Sequence, residues 1–392
     1  MATLHQVRAA VIGYGGIGSA HTATIARGGV EGMTLAAVCD IDPRKCALAA
    51  QRFPGIRTAE DYHELLDGSI DAVIIAVPHP MHCRIAADCL RGGVHVLSEK
   101  PLDVSVTAAK KALQAAEETG RIFAVMLNQR TAPIFRRARE IVQSGQLGQL
   151  KRTVWLITNW YRTQHYYDSG AWRATWAGEG GGVLLNQAPH NLDLWQWICG
   201  MPDSLSAYCD VARYHRIEVE DDATLMTRYA NGATGLFVTS TGEFPGTNRL
   251  EIAGDQGKLV LEEGVLKWWK LRESERDVRW HSQSSMPQIA CDYAEERFED
   301  GGAQHQGILQ NYANAIRHGE ALLSPAQDGL NELMLSNAAY LSQWTGNARI
   351  DLPLDGAAFD ALLKEHAAHS MTHEEMASIP AGEYQDRWQT RW

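Results

Sequence analysis

Short, almost uninterrupted apolar runs recur through the first third of the chain. They are VRAAVIGYG from residue 7, LAAVCD (35–40), DAVIIAVP (71–78), VHVLSEKP (94–101) and IFAVML (122–127). Runs without polar alternation are typical of strands that are buried on both faces of a parallel sheet. Segments with helical periodicity separate them, at 17–27, 43–53, 82–91 and 105–119. The alternation of strand and helix predicts a doubly wound α/β sheet over residues 1–128.

The pattern changes after about residue 129, where the strand-like segments become longer and more polar. A helical segment at 132–145 precedes strand-like segments at 150–160, 222–240 and 249–271. Asn231-Gly232 is a hairpin turn signal, and further glycines mark turns in the last segment. Consecutive hairpins predict an α+β domain over residues 129–392, with helices returning at about 305–318, 328–344 and 357–369.

Composition narrows the classes of function. The chain has 392 residues, enough for two domains, and a formal net charge of −11. This charge argues against nucleic acid and anionic membranes as partners, because phosphate binding needs a basic face. The 7 cysteines have no C-x-x-C spacing, so we expect reduced thiols in a cytoplasmic protein. The sequence contains no signal-peptide pattern and no apolar run long enough to span a membrane.

A glycine-rich turn follows the first strand and opens the first helix. Its residues fit G-x-G-x-x-G and are Gly13, Tyr14, Gly15, Gly16, Ile17 and Gly18. In this context the glycines allow a tight turn, close approach of the backbone to a pyrophosphate, and close packing of helix on strand. The helix N-terminus adds free N–H groups for the anion. The segment therefore predicts a dinucleotide-binding domain.

The end of the second strand predicts which dinucleotide binds. Asp40 and its neighbour Ile41 lie about twenty residues after the glycines, where a carboxylate accepts hydrogen bonds from the adenosine ribose. A carboxylate here repels a 2′-phosphate, so NAD is favoured over NADP. Arg44 keeps NADP open, since a nearby Arg can pair with that phosphate.

Two further segments carry candidate chemistry. Lys100 ends the strand that closes with SEKP, and ligands of open α/β sheets bind at the carboxyl ends of strands. His190 follows Pro189 at a predicted helix start, four residues after Asn186 and three before Asp193. Histidine is the side chain best suited to proton transfer near neutral pH. His190 is therefore a candidate general base.

The combination resembles the Gfo/Idh/MocA family of NAD(P)-dependent oxidoreductases, which includes inositol dehydrogenases and glucoside 3-dehydrogenases. Four segments carry the resemblance: VIGYGGIGSAH (11–21), AVPHPMH (76–82), SEKP (98–101) and GGG…NQAPHNLDLW (180–195). The resemblance implies an N-terminal Rossmann domain and a C-terminal α+β domain with a large, mostly antiparallel open sheet. It also implies that the second domain binds substrate and forms a homo-oligomer, either a dimer or a homotetramer.

The resemblance also assigns roles to residues. Lys100 and His190 match the catalytic Lys and His of the family, and Asn186 stands where most members have Asp. We expect Asn186 to position substrate by hydrogen bonds rather than by charge. The remaining expected cofactor contacts follow the later strands, and they are Ala76, Pro78, His82, Glu99, Lys100, Asn128 and Gln129.

The substrate pocket is predicted from a loop-like segment, WYRTQHYYDSGAWRATW (160–176), which mixes aromatic and polar side chains. Aromatic plates with hydrogen-bonding tips suit a sugar ring. The substrate candidates are Tyr161, Tyr166, Trp172, Arg173, Asp193 and His305. The expected reaction is oxidation or reduction of a ring secondary alcohol of an unphosphorylated sugar, glycoside or cyclitol. The hydride exchanges with NAD, and the proton exchanges with His190 while Lys100 assists.

Two alternatives remain open at this point: a redox-neutral, NAD-dependent glycosidase or lyase, and a non-catalytic dinucleotide-binding sensor. No metal is expected. His366, His369 and His373 have the spacing of one helix face but lack an H-E-x-x-H motif, so surface histidines are favoured over metal ligands.

Overall fold

The computed structural model describes residues 6–378, which divide into two compact units. The first unit contains the described residues up to Thr131 together with Ala303–Leu333. The second contains Ala132–Gly302 and the described residues from Met334 onward. The segment Ala303–Leu333 therefore returns to the first unit, although the sequence pattern placed everything after residue 128 in the second domain.

Strands and helices alternate in the first unit, and hairpins dominate the second. In chain order the strands are β1 (Val7–Ile12), β2 (Met33–Cys39), β3 (Arg57–Ala59), β4 (Ala72–Ile75), β5 (His95–Ser98), β6 (Phe123–Val125), β7 (Leu150–Ile157), β8 (Ser204–Val211), β9 (Glu220–Arg228), β10 (Thr234–Ser240), β11 (Asn248–Gly254), β12 (Gly257–Glu262), β13 (Val265–Leu271), β14 (Cys291–Arg297) and β15 (Ile350–Asp351). The helices are α1 (Gly16–Ala26), α2 (Pro43–Arg52), α3 (His82–Arg91), α4 (Val106–Thr119), α5 (Pro133–Gln143), α6 (Gln164–Asp168), α7 (Val183–Asn186), α8 (Pro189–Cys199), α9 (Glu275–His281), α10 (Gln304–His318), α11 (Ala326–Trp344), α12 (Gly356–Ala368) and α13 (His373–Ser378). Within residues 6–378, no helix is long and apolar enough to cross a membrane.

The first unit is built on a parallel six-stranded sheet in the order β3-β2-β1-β4-β5-β6. The order reverses beside β1, and ligands of doubly wound sheets bind at such a point, beyond the carboxyl ends of the strands. Each apolar run predicted as a strand forms one, because strands covered on both faces need apolar side chains throughout. The doubly wound prediction for this region is confirmed.

The returning segment is part of the core of the first unit. Ile308, Leu309 and Tyr312 of α10 are buried in the same cluster as residues of β1 and β4. Arg130, fully buried, forms an ion pair with Asp328 at 2.6 Å and donates to the carbonyl of Leu323. These contacts explain why the segment belongs to this unit.

The second unit contains a nine-stranded sheet in the order β14-β13-β12-β11-β7-β10-β9-β8-β15. Its neighbouring strands run antiparallel except for the β7–β10 pair. Burial alternates along β9, where Ala223 and Leu225 are buried and Met226 is 59% exposed. Trp195 of α8 packs on the buried face, with its ring 5.4 Å from that of Phe237. The mostly antiparallel sheet predicted for the C-terminal region is confirmed.

Candidate active site

The turn after β1 depends on two glycines that have no room for a side chain. Gly13 has a φ of 94°, and a Cβ added to it would lie 2.4 Å from the carbonyl oxygen of Ala76. A Cβ on Gly18 would lie 1.9 Å from the carbonyl oxygen of Gly13. The close packing of β1, α1 and the end of β4 therefore requires glycine at both positions.

Unlike Gly13 and Gly18, the glycines Gly15 and Gly16 face open space. A Cβ added to either would meet no atom within 4 Å among the described residues. Gly15 is the N-cap of α1, and Gly16 is the first residue of that helix. The first N–H groups of a helix have no intrahelical acceptor and favour an anion. Open space above these N–H groups is the cradle that a dinucleotide pyrophosphate needs, so the residues present fit NAD.

Asp40 lies directly after β2 with a carboxylate that is almost fully buried. It accepts hydrogen bonds from the backbone N–H groups of Tyr14 at 2.7 Å and Asp42 at 2.9 Å. The ammonium group of Lys45 lies 3.3 Å from its Oδ2 atom. These contacts hold the carboxylate beside the glycine turn, and Lys45 is a neighbour that the sequence analysis missed.

The neighbours of Asp40 favour NAD. Ile41 is 90% exposed beside it and presents an apolar surface. The Arg44 guanidinium donates to both carboxylate oxygens of Asp42, at 3.0 Å and 2.8 Å. Hydrogen bonding to Arg44 lowers the pKa of Asp42 to about 2. Arg44 is therefore engaged with a carboxylate, which weakens the case for a role in binding the 2′-phosphate of NADP.

The loops after β4 and β5 are joined by a histidine. His82 is fully buried, with Nδ1 2.7 Å from the carbonyl oxygen of Pro101 and Nε2 2.9 Å from that of Val77. Burial lowers its pKa. Its ring holds the two loops together, and its contact with the cofactor stays a prediction. Ala76 and Pro78 lie in the first of these loops, and Ala76 N–H donates to Ile12.

A buried ionisable cluster surrounds the strand end that carries Lys100. His21 Nε2 lies 2.7 Å from Glu99 Oε1, and the ring of His305 lies 5.7 Å from that of His21. Burial opposes ionisation of Glu99, but the hydrogen bond from His21 and the charges of His21 and Lys100 lower its pKa overall. Burial lowers the pKa of His305. His305 thus belongs to this cluster in the first unit, and His21 is a further member for which the sequence predicted no role.

The turn after β6 presents an unsatisfied acceptor. Asn128 is buried and donates from Nδ2 to Gln304 Oε1 at 2.7 Å. Its Oδ1 atom has no hydrogen-bond partner among the described residues. A buried acceptor without a partner is costly, so this oxygen suits a donor group on a bound molecule. Gln129 follows it and is half-buried.

In the second unit, His190 lies in the first turn of α8, whose first residue is Pro189. The helix ends before Gly200, which has a φ of 83°. His190 is half-buried, whereas Asp193 is 1% exposed and accepts a hydrogen bond from Gln196 at 3.0 Å. Asp193 therefore lies in the interior, and its contact with substrate stays a prediction.

Tyr166 is the centre of a polar and aromatic cluster. Its Oη atom lies within hydrogen-bond distance of N–H groups on Arg173 (2.8 Å), Asn186 (3.2 Å) and Gln187 (3.2 Å). The Arg173 guanidinium lies 4.6 Å from the ring centres of both Tyr166 and Trp172. The structure thus brings together four predicted site residues: Tyr166, Trp172, Arg173 and Asn186. Tyr161 packs against Phe244, with ring centres 5.6 Å apart.

A carboxylate that the sequence analysis missed completes this cluster. Glu179 is 1% exposed and accepts hydrogen bonds from the Asn186 side-chain amide and from the backbone N–H of Ala174 at 2.5 Å. Ala174 has a φ of 54°. Glu179 directly precedes three glycines, so its sequence signal is that of an ordinary turn residue.

Gly182 and Glu220 fix the N-terminus of the helix that ends at Asn186. A Cβ on Gly182 would lie 1.9 Å from the carbonyl oxygen of Glu220. The buried Glu220 carboxylate accepts from the N–H groups of Gly182 and Leu184, each at 2.9 Å, and from the hydroxyl of Tyr340 at 2.8 Å. It therefore binds the N-terminus of α7. Burial nevertheless raises its pKa to about 7.

We expect Glu220→Gln to remove the contribution of this carboxyl group to the pH dependence of the free energy of unfolding. The raised pKa means that the folded state favours the protonated carboxyl, so stability falls as pH rises from its ordinary pKa of 4.5 to about 7. Relative to the non-ionising variant, the wild type should lose up to about 3 kcal/mol over this range. Urea denaturation of both proteins at several pH values between 5 and 8 measures the difference. Parallel stability profiles for the two proteins would contradict the expectation.

The predicted histidine helix face does not exist. α12 ends at Ala368 and α13 begins at His373, so the three histidines do not share a helix. His366 is half-buried and stacks on Trp344 with ring centres 4.5 Å apart. Among residues 6–378, no group of three or more His, Cys, Asp or Glu side chains is placed to hold a metal ion.

The doubly wound sheet, the glycine turn and Asp40 define a dinucleotide-binding domain of the kind found in oxidoreductases. Residues 7–127 match the family described as "Oxidoreductase family, NAD-binding Rossmann fold", and residues 135–260 match the "GFO/IDH/MocA C-terminal domain". The chain belongs to the Gfo/Idh/MocA family, and its cofactor is NAD.

Relatives match most of the chain. The inositol 2-dehydrogenase of Rubrobacter xylanophilus is 31% identical, over 87% of this chain and 92% of that protein. The scyllo-inositol 2-dehydrogenase (NAD(+)) of Bacillus subtilis is 27% identical, over 86% of this chain and 93% of that protein. Among solved structures, the WlbA dehydrogenase from Bordetella pertussis in complex with NADH and UDP-GlcNAcA has a TM-score of 0.74 and 27% identity, covering 89% of this chain and 100% of that one.

Proposed function

We propose that the protein is an NAD-dependent dehydrogenase acting on a ring secondary alcohol of an unphosphorylated sugar, glycoside or cyclitol. The cluster around Tyr166 carries the proposal. Gln187 donates to Tyr166, and its buried Oε1 has no partner among the described residues, so it suits a substrate hydroxyl. Trp172 and Tyr166 supply the aromatic surfaces that bind the apolar face of a sugar ring. The inositol dehydrogenases among the relatives support the same class of substrate.

The mechanism follows from the chemistry of each residue. The glycine turn and Asp40 would hold NAD, which would supply the acceptor for a hydride from the carbinol carbon. His190 takes the hydroxyl proton, and the positive charge of Lys100 stabilises the oxygen as it becomes negative. In the reverse direction His190 returns the proton. These roles rest on the match of both residues to the family motifs.

A coupled assay tests the proposal. Purified protein is incubated with NAD and a panel of inositols, free sugars, glycosides and UDP-sugars. The concentration of NADH is measured over time until the reaction reaches equilibrium. We expect NADH to accumulate with at least one unphosphorylated polyol. Turnover confined to the UDP-sugars would contradict the proposed substrate class.

The same panel separates the two alternative functions. A redox-neutral glycosidase or lyase converts substrate without net NADH, so product analysis would show a cleaved glycoside while the NADH signal stays flat. A sensor binds NADH and a sugar but gives no product and no exchange of hydride with labelled substrate.

We also propose a homo-oligomer formed through the outward face of the nine-stranded sheet. Met226 and Tyr208 are both 59% exposed on this face, and Met226 pairs with Leu236 across the sheet. Leu236 in turn pairs with Val154 in the centre of the sheet. Contiguous apolar surface of this kind marks an interaction site, and a second copy of the chain is the partner proposed here.

Met226→Glu should dissociate the oligomer, because a charge in an apolar interface must be desolvated without a partner. Light scattering coupled to size-exclusion chromatography should give a dimer or tetramer mass for the wild type and a smaller mass for the variant. Met286→Glu is the matched control, since Met286 is 83% exposed on the segment before β14. A monomeric wild type would overturn this proposal.

A further inference from the structure

The amide of Asn186 is oriented by the residues that it contacts. Its Nδ2 atom donates to the Glu179 carboxylate and also lies 3.2 Å from Tyr166 Oη. An ionised carboxylate only accepts hydrogen bonds, so the amide nitrogen must face Glu179. The carbonyl oxygen, Oδ1, is consequently on the opposite side of the amide group from the Glu179 contact. Asn186 is thereby presented as a hydrogen-bond acceptor.

Gln187 shows the same arrangement. Its Nε2 atom donates to Tyr166 Oη, and its Oε1 is the buried acceptor without a partner among residues 6–378. Two neighbouring amides therefore both direct their nitrogen atoms at Tyr166. A polyol carries hydroxyl groups that donate to such oxygens, so the pair of acceptors matches the proposed substrate class.

Two cations lie against Tyr166, the partner of Asn186: Arg173, and Arg162, whose guanidinium is 5.0 Å from the centre of the Tyr166 ring. Arg173 reaches the cluster through Tyr166, to which it donates at 2.8 Å. Tyr167 lies in the neighbouring position, where burial raises its pKa and the negative charges of Asp221 and Glu179 add to the effect. Glu179 thus contributes a negative charge that raises the pKa of Tyr167, and Arg173 is linked to Glu179 by hydrogen bonds through Tyr166 and Asn186.

We propose that Glu179 is a positioning residue of the substrate site: it holds Asn186 as an acceptor for a substrate hydroxyl and supplies the negative charge that position 186 lacks. The inference rests on the proposed function for the identity of the substrate. The Glu179–Asn186 arrangement itself rests on contacts within the second unit. In this arrangement one member is a carboxylate and the other an amide, and the two cannot both be carboxylates without repulsion.

Three variants test this arrangement. In Glu179→Gln, the new amide N–H faces Asn186. Asn186 must then turn its oxygen toward position 179, so that this oxygen no longer accepts from substrate. In Asn186→Asp, two carboxylates face each other and share a proton until the pH rises through the raised pKa of the pair. In the double variant Glu179→Gln/Asn186→Asp, the amide and the carboxylate have exchanged places. The amide introduced at position 179 then donates to the carboxylate introduced at position 186, and its oxygen still accepts from the backbone N–H of Ala174.

The expected kinetic results differ for each variant. Glu179→Gln should raise KM for the polyol about tenfold or more while the Kd for NADH is unchanged, because a lost hydrogen bond to substrate is worth about one factor of ten. Asn186→Asp should lose activity as pH rises from 6 to 9, relative to wild type. The double variant should return to within about threefold of wild type, as expected when two residues act as a coupled pair. Glu299→Gln, at an exposed position of the same unit, is the control.

Thermal denaturation separates this inference from the proposed function. The Tm of Asn186→Asp should fall with rising pH more steeply than that of wild type, and the double variant should recover the wild-type profile. This result holds even if no polyol is turned over, in which case only the substrate role is overturned. The inference itself is overturned if the changes in Tm and KM of the double variant equal the sum of the changes in the two single variants.

Discussion

Replacing His190 with alanine is expected to lower kcat by a factor of about 10²–10⁴, the usual contribution of a general base. The imidazole is the group proposed to take the hydroxyl proton, and no hydride can leave the carbinol carbon readily while that proton stays in place. The glycine turn and Asp40, which hold the cofactor, are unchanged in this variant. The Kd for NADH should therefore stay within about twofold of wild type.

Stopped-flow or steady-state assays with the best polyol from the panel measure kcat, and fluorescence titration measures NADH binding. His281→Ala is the matched control, because His281 is exposed on α9 of the same unit. A kcat for His190→Ala within threefold of wild type would place the base elsewhere.

Gly15→Val is expected to weaken NAD binding about 100-fold, which corresponds to about 2.7 kcal/mol. The protein itself has room for the side chain, since a Cβ at Gly15 meets nothing within 4 Å among the described residues. The added methyl groups occupy the space that the pyrophosphate needs above the N-terminus of α1. The Tm without cofactor should therefore change little.

Gly18→Ala provides the contrast for this experiment. Its Cβ would lie 1.9 Å from the Gly13 carbonyl, so this smaller change should lower the Tm of the protein without cofactor as well as NADH affinity. Calorimetric titration with NADH and thermal denaturation of both variants measure the two effects. Equal loss of Tm in Gly15→Val and Gly18→Ala would contradict the expectation that the protein has room for a side chain at position 15.

The first sheet could be predicted from sequence because its strands are buried on both faces. Five of its strands fall within the predicted apolar runs or begin within two residues of them, and these are β1, β2, β4, β5 and β6. β3 was missed because it has three residues at the sheet edge, and its first residue is exposed. A strand this short has too little periodicity to be recognised.

The limits of prediction lie in pairing between distant segments. α10 was predicted as a helix, but its apolar stripe does not reveal which sheet it covers. Glu99 pairs with His21 78 residues away, and Glu220 binds the N–H of Gly182 38 residues away. The glycine turn could be found because its chemistry is local to six residues. Glu179 is close to Asn186 in sequence, yet only the folded path of the loop between them brings the two side chains into contact.

The discontinuity of the first unit has a consequence for biosynthesis. A ribosome completes β1–β6 long before it reaches α10, so the nascent dinucleotide-binding domain lacks Ile308, Leu309 and Tyr312, which close its core. Domains generally fold as units during synthesis, and apolar surface left open on an intermediate promotes aggregation. The second unit must therefore emerge while the first waits for its last helix. Premature termination before residue 303 would leave a chain that contains every glycine of the cofactor turn and all six strands of the sheet but lacks the α10 residues that complete its core.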